Sequence, residues 1–176
     1  MTEQTEGRQA GRGALLKVLR DSAALRGLSL AEWDTVLPAA RASRLLSRLA
    51  VEIRDREWFE NIPQPVERHL QAALTLAEQH ERSARWGVRC LSEALRSVQT
   101  PLILLKGPAY LMLGLPNTKG RIYNDVDILV PRSNLDRVEA TLREHGWTSL
   151  EMTEHQERYY RRATVEDPSF SCCEHC

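Results

Sequence analysis

The sequence predicts an α/β (α+β) fold, in which a helical N-terminal region precedes a small mixed sheet with flanking helices. Residues 65–98 repeat apolar side chains at helical spacing over many turns. Residues 101–105 and 122–131 are short apolar runs of β-like character, separated by a Gly-containing turn and helix-forming residues. With 176 residues, the chain is long enough for one domain, or for one domain with a helical extension.

Composition and pattern divide the chain into four parts. We expect a disordered tail at 1–13, which is rich in Gly, Gln, Glu and Arg, and a helical region at 14–98. An α/β core is expected at 99–167, followed by an irregular Cys-rich tail at 168–176.

The overall charge points to no macromolecular partner. The chain carries 24 basic and 24 acidic residues, so no net field would attract nucleic acid or an anionic membrane. No apolar run approaches the length of a membrane span, and residues 1–10 lack the apolar core of a signal peptide. We therefore expect a cytoplasmic protein that does not act at a membrane.

Two helices are expected before residue 38. The first begins at Ala14, and Leu15, Leu16 and Leu19 are predicted to form its apolar face. The second opens at Ser29–Glu32, a stretch with the spacing of a capping box, in which the Ser and Glu side chains cap each other's backbone N–H groups.

Two further helices complete the helical region. Pro38 suits the first turn of a third helix. The apolar side of that helix includes three leucines: Leu45, Leu46 and Leu49. The fourth and clearest helix runs from about 65 to 98. Nine apolar residues recur along it every three, four or seven positions: Val66, Leu70, Leu74, Ala77, Ala84, Val88, Leu91, Leu95 and Val98.

Several aromatic and histidine residues of this region have both a functional and a structural interpretation. Trp58, Phe59 and Trp86 would suit a binding surface, but aromatics beside apolar helices are more often core residues or helix anchors. His69 and His80 lie on similar sides of the long helix, but nothing nearby completes a set of metal ligands. We interpret all five as structural.

Two carboxylates, Asp125 and Asp127, lie two residues apart within the run 122–131. Strand side chains alternate between faces, so both are predicted to share one face. The other face then carries three apolar residues: Val126, Ile128 and Val130. Like charges on one face repel unless a metal or a basic group lies between them. Such a pair is either a solvated strand end or a site for a hard cation such as Mg²⁺, which carboxylates hold together with substrate phosphates.

The preceding run supports the second interpretation. Residues 101–105 are predicted to form a buried strand that ends in the turn Lys106-Gly107-Pro108, and helix-like residues follow at 109–113. A strand, a turn and a helix start leave backbone N–H groups for an anion, and the missing side chain of Gly107 lets a phosphate approach.

Together these residues resemble a known family. Leu105-Lys106-Gly107, then Arg121, then Asp-Val-Asp-Ile-Leu-Val at 125–130, is similar to the signature of the uncharacterised nucleotidyltransferases. That family is a branch of the DNA polymerase β-like superfamily. The resemblance covers roughly residues 98–147. It implies a sheet and helices of nucleotidyltransferase type, in which a Gly-containing turn precedes a helix and an Asp-x-Asp on the next strand binds metal and nucleoside triphosphate.

The resemblance implies a role for each site residue. Asp125 and Asp127 would be catalytic and would hold Mg²⁺, or Mn²⁺ in its place. Gly107 would admit the triphosphate, and Lys106 and Arg121 would contact its oxygens. The expected reaction moves a nucleoside monophosphate from a nucleoside triphosphate to an acceptor that the sequence does not identify.

Whether the chain is a complete enzyme stays open at this point. Members of the superfamily usually carry a third carboxylate on a later strand, and only Glu166 and Asp167 are candidates here, before Pro168 breaks the pattern. We therefore expect the chain to end before its catalytic set is complete. The alternatives are a nucleotide-binding or partner-binding protein of the same fold without turnover, or a helical interaction module formed by residues 14–98.

The rest of the chain predicts one more helix and one more strand. Ser133 is expected to cap a helix with Asp136 in its first turn, ended by His145-Gly146. The apolar stripe of this helix has three members: Leu135, Val138 and Leu142. A further strand is suggested by three residues: Tyr159, Tyr160 and Val165.

The cysteines indicate neither a disulfide framework nor a metal site. Four residues of the tail are of the types that bind zinc in proteins: Cys172, Cys173, His175 and Cys176. Ligands packed so tightly rarely form one tetrahedral site, and no second Cys-x-x-Cys completes the set. Cys90 is interpreted as a small buried residue of the long helix.

Overall fold

The computed structural model describes the backbone of residues 3–148 and the side chains of 9–148. Over this range the protein is mostly helical. Its α-helices are α1 (Glu3–Arg20), α2 (Leu30–Ala42), α3 (Leu46–Asp55), α4 (Gln64–Ala94), α5 (Lys106–Met112) and α6 (Leu135–Glu144). Its strands are β1 (Ile103–Leu104) and β2 (Ile128–Leu129). Short 3₁₀ helices cover Ser22–Gly27, Phe59–Asn61, Leu95–Val98, Pro116–Thr118 and Arg132–Asn134.

The predicted order, helices first and an α/β part second, is confirmed, but the sheet differs from the prediction. Between residues 3 and 148 it has two strands, and they are antiparallel rather than mixed. The chain divides into two compact units, one with Met1–His80 and Lys119–Ile122, the other with Glu81–Thr118 and Tyr123–Cys176. The division falls within α4.

The first unit packs α1, α2 and α3 with the N-terminal part of α4. Helix α1 begins at Glu3, so the helix extends into the tail that was expected to be disordered. Its buried face contains Leu15 and Val18, whereas Leu16 and Leu19 are exposed, and the predicted face was wrong by part of a turn. The reason is Gly11, which packs against the backbone of Thr35 and so turns its own side of α1 inward.

Helix α2 shows one correct and one wrong prediction. Ser29 and Glu32 form the predicted capping box, with each side chain accepting from the other's backbone N–H. Pro38 lies inside α2 and starts no new helix. Buried Val36 and Ala40 hold the helix in place on either side of it. Helix α3 starts later, at Leu46.

The aromatic predictions are confirmed in part. Trp58 and Phe59 pack against the core of the first unit, and the guanidinium groups of Arg26 and Arg56 lie 5.6 and 5.0 Å from the Trp58 ring centre. Trp86, in contrast, is exposed.

Residues Lys119–Ile122 belong to the first unit because they bind α3. The Ser47 hydroxyl donates to the Gly120 carbonyl at 2.8 Å, and the Arg48 guanidinium donates to the Lys119 carbonyl at 3.2 Å. The Lys119 ammonium lies 2.7 Å from an Asp55 carboxylate oxygen. This hydrogen bond from Lys119, followed by one from Arg54, lowers the pKa of Asp55 below its ordinary value of 3.8.

The Asp55 carboxylate should therefore make stability depend on pH. Because its pKa is lower in the folded chain, its contribution is present above pH 3.8 and is lost as the pH falls through the lowered value. We expect wild type to be more stable than Asp55→Asn at neutral pH, and the gap to close as acid protonates Asp55. Denaturant unfolding at a series of pH values measures it, with exposed Glu60→Gln as the control. A gap that is constant down to the acid limit would contradict the prediction.

In the second unit, the C-terminal part of α4, the sheet and α6 share one core. Its buried members are Leu91, Ala94, Leu95, Val98, Ile128, Val138 and Leu142. All nine apolar residues predicted along the long helix are buried. The predicted buried strand 101–105 is short and only partly covered, since Leu104 packs on this core but Ile103 is exposed. Cys90 is half-buried.

Helix α6 confirms most of its prediction. Val138 and Leu142 are buried, Asp136 lies in the first turn, and the helix ends before Gly146. Ser133 is not its cap, because a 3₁₀ turn occupies Arg132–Asn134 and the capping position falls to Asn134. The strand predicted at Tyr159, Tyr160 and Val165 lies outside the described residues.

Gly87 offers a test of packing inside α4. It is buried in the middle of a 31-residue helix, and an added Cβ would meet Val126 at 3.6 Å, an ordinary contact distance. Alanine favours a helix interior over glycine by roughly 0.5–1 kcal/mol. We expect Gly87→Ala to raise the free energy of unfolding by about that amount, measured by denaturant titration. A destabilised variant would mean that Val126 cannot accept the extra methyl group.

Candidate functional site

The segment that carries the two aspartates is held in place by its buried and partly buried side chains. Tyr123 packs with Ala84 of α4 and Leu111 of α5, Val126 lies beside Gly87, and Ile128 is buried. Regular strand structure is limited to Ile128–Leu129, so the predicted strand through the aspartates is wrong in extent. The predicted apolar face is correct, since Val126, Ile128 and Val130 belong to one core cluster.

Asp125 and Asp127 differ in their surroundings. Asp125 is exposed to solvent, whereas the side chain of Asp127 is only 11% exposed. The antiparallel register pairs Leu104 with Ile128, and it continues by one residue because the Leu105 N–H donates to the Asp127 carbonyl at 2.9 Å. The backbone at Asp127 is thereby fixed against the end of β1.

The same register brings Lys106 to Asp127. The Lys106 ammonium lies 2.9 Å from the Asp127 Oδ2 atom, while the lysine side chain itself is 69% exposed. Lys106 has a left-handed backbone, with φ of 51°, which a residue with a Cβ adopts at a cost of about 1–2 kcal/mol. Lys106, which has a strained backbone, thus contacts the nearly buried carboxylate of Asp127.

Gly107 lies in a helix rather than in the turn that was predicted to precede it. It lies in the first turn of α5, which begins at Lys106, and it is buried together with Pro108 and Leu111. The left-handed glycines of the described chain are Gly114, Gly120 and Gly146. The left-handed conformation near this turn falls one residue earlier, at Lys106.

Arg121 is exposed and lies in the segment Lys119–Ile122 of the first unit. Lys106, Gly107 and both aspartates belong to the second unit. The structure therefore brings together Lys106 and Asp127, and the role of Arg121 stays a prediction from the sequence.

The chemistry of the donor set fits a hard divalent cation that arrives with a substrate. Among the side chains of residues 9–148, no three of His, Cys, Asp or Glu form a metal-binding group. His69 and His80 therefore belong to no such group. Mg²⁺ is commonly held by one or two carboxylates together with phosphate oxygens and water, and Asp125 and Asp127 have the ligand chemistry for that mode. The Lys106 ammonium shows that a cation can reach Asp127 Oδ2. The remaining candidate ligands, Glu166, Asp167 and the Cys-rich tail, lie outside the described residues.

Sequence reasoning missed the Lys106–Asp127 ion pair, although it named both residues. It also missed Gly87 and Tyr123 as supports of the aspartate segment. A glycine inside the apolar stripe of α4, next to buried Val88, was the available signal for a close approach of another chain segment.

Comparison with known proteins gives one match. A family model described as an uncharacterised nucleotidyltransferase matches residues 29–170. No curated protein and no solved structure matches the chain. Within the part of the chain that is described, no helix combines the length and apolar character needed to cross a membrane.

Proposed function

The chain belongs to the uncharacterised nucleotidyltransferase family, and from this premise we propose that it transfers a nucleoside monophosphate from a nucleoside triphosphate to an acceptor in a Mg²⁺-dependent reaction. The observation that carries the proposal is the placement of Asp127, a nearly buried carboxylate next to a lysine ammonium and two residues from exposed Asp125. A paired anion and cation on a fixed backbone suit a metal–phosphate substrate, which presents both charges.

Each residue has a distinct task in the proposed reaction. Asp125 and Asp127 bind the metal that accompanies the triphosphate, and Lys106 binds phosphate oxygens as a point charge. Bound Mg²⁺ would neutralise the phosphates and favour departure of pyrophosphate. An acceptor oxygen attacks the α-phosphorus, the bond from this phosphorus to the bridging oxygen breaks, and the acceptor's proton passes to a base. Gly107 and Arg121 are proposed as further contacts to the triphosphate on the family resemblance alone.

Release of pyrophosphate tests the proposal. Wild type is incubated with Mg²⁺, each of the four ribonucleoside triphosphates and a mixture of hydroxyl and phosphate acceptors. We expect Mg²⁺-dependent release with at least one triphosphate and its loss in Asp125→Asn, which is exposed and should fold normally. Release that is unchanged in Asp125→Asn would contradict the assigned role.

The second candidate is nucleotide binding without turnover. It is supported by the finding that no third carboxylate joins the two aspartates in a metal-binding group among the side chains of residues 9–148. General-base assistance typically contributes roughly 10²–10⁴-fold, so its loss would leave binding intact and transfer slow. Glu166→Gln separates the two functions. Loss of pyrophosphate release with retained triphosphate binding would make Glu166 part of the catalytic set, whereas binding without release in wild type would favour the second candidate.

A further inference from the structure

We propose that Lys106 occupies Asp127 while the metal is absent and moves to the phosphates of the nucleotide when the metal binds. The inference rests on the proposed function and concerns the order of events at the same site. The ion pair of 2.9 Å between Lys106 Nζ and Asp127 Oδ2 is its starting point.

The burial of Asp127 explains what Lys106 contributes in the metal-free protein. The Asp127 side chain is only 11% exposed, so few water molecules can solvate its carboxylate. The Lys106 ammonium, 2.9 Å from Oδ2, provides a charged hydrogen-bond donor in their place. It therefore orients the carboxylate before any divalent ion arrives.

The exposure of Lys106 explains how it can leave. Its side chain is 69% exposed and ends in a compact charge on a flexible stem, so the ammonium can rotate away without disturbing the core. A guanidinium would hold the carboxylate with two hydrogen bonds and would leave less readily. The chain uses lysine sparingly, with Lys17, Lys106 and Lys119 as the three lysines among 24 basic residues.

Competition between two cations explains why it must leave. A divalent ion on Oδ2 and an ammonium at 2.9 Å from the same oxygen would repel each other. The fixed backbone at Leu105 and Asp127 keeps the displaced ammonium close to the carboxylate. The nearest new anion is then the phosphate group that arrives with the metal. Lys106 thus weakens binding of the metal alone and strengthens binding of the metal–triphosphate complex.

This gives opposite effects of one substitution on two affinities. Electron paramagnetic resonance measures binding of Mn²⁺ alone and of Mn²⁺ with a non-hydrolysable analogue of each ribonucleoside triphosphate. In Lys106→Met, we expect Mn²⁺ alone to bind about 3–10-fold more tightly, since a competing surface cation is gone. We expect Mn²⁺–triphosphate to bind at least ~10-fold more weakly, since a charged hydrogen bond is lost.

Three variants serve as controls. Lys17→Met removes the same charge from an exposed position on α1 and should change neither affinity. Lys106→Arg keeps a cation beside Asp127 and should leave binding of Mn²⁺ alone at or below the wild-type affinity. Asp127→Asn defines the background. Circular dichroism checks that each variant is folded, and Lys106→Gln replaces Lys106→Met if the latter is not.

The outcomes separate this inference from the proposed function. If Asp127→Asn abolishes Mn²⁺ binding but Lys106→Met does not tighten it, the metal site stands and the exchange is wrong. If Lys106→Met tightens Mn²⁺ alone and leaves the triphosphate complex unchanged, the transfer of Lys106 to phosphate is wrong. If wild type, Lys106→Met and Asp127→Asn bind Mn²⁺ equally, both the exchange and the proposed metal site are overturned.

Discussion

Asp127→Asn is expected to lose Mg²⁺-dependent triphosphate binding by on the order of 100-fold or more, because an amide replaces a charged ligand of the proposed metal. The fold should survive, since asparagine has almost the same shape and its backbone keeps the bond from Leu105 to the Asp127 carbonyl. Titration calorimetry with Mg²⁺ and each triphosphate measures the affinity, and thermal unfolding without ligand checks the fold.

The structure changes the expected stability of this variant. From the sequence alone, removal of one of two like charges would stabilise the metal-free chain slightly. The ion pair between Lys106 and Asp127 reverses that expectation at position 127, because the substitution removes the partner of Lys106. Asp125→Asn is the matched control, as its carboxylate is exposed. Equal affinity for Mg²⁺–triphosphate in wild type and Asp127→Asn would remove the basis of the proposed site.

Gly120→Ala is expected to destabilise the first unit by about 2–4 kcal/mol. Gly120 has φ of 69°, where a Cβ costs about 1–2 kcal/mol. An added Cβ would also lie 2.7 Å from the Ser47 carbonyl oxygen and 2.9 Å from backbone atoms of Arg48. These are atoms of helix α3, which cannot shift without disturbing its core side. The substitution should therefore also break the hydrogen bond from Ser47 to Gly120.

The control variant Gly114→Ala distinguishes the cost of backbone strain from the cost of the steric clash. Gly114 has a similar φ of 66°, but an added Cβ there meets no atom within 4 Å. We expect the free energy of unfolding of this control to fall only by the cost of the backbone strain, about 1–2 kcal/mol. Denaturant unfolding of both variants gives the difference. If Gly120→Ala were as stable as Gly114→Ala, the close packing of Lys119–Ile122 on α3 would be wrong.

The helical part of the molecule could be predicted because its signals are local and repeated. Seven apolar positions of α4 and two of the 3₁₀ helix that follows it indicate the same buried face, and Ser29 and Glu32 indicate the same helix start, so one misleading residue changes little. The face of α1 rested on three leucines, and it was assigned wrongly because Gly11 contributes to packing by lacking a side chain. A prediction that relies on apolar side chains does not detect such a contact.

The site could be predicted in its residues but only partly in its geometry. Asp125, Asp127 and Lys106 were chosen from residue type and spacing. The contact between Lys106 and Asp127 depends on the antiparallel register of two strands of two residues each, which neither run specifies by itself. It also depends on a left-handed lysine directly before a glycine. Local preference would give that conformation to Gly107.

At position 106, the residue type that would relieve backbone strain differs from the residue type that the proposed activity needs. Glycine would adopt the same φ without a Cβ penalty, so the backbone alone would gain about 1 kcal/mol from Lys106→Gly. The same change would remove the proposed phosphate ligand and the cation beside Asp127. Because loss of the ion pair with Asp127 offsets that backbone gain, a screen that selects variants only for thermal resistance would tolerate Lys106→Gly although the proposed phosphate ligand is gone.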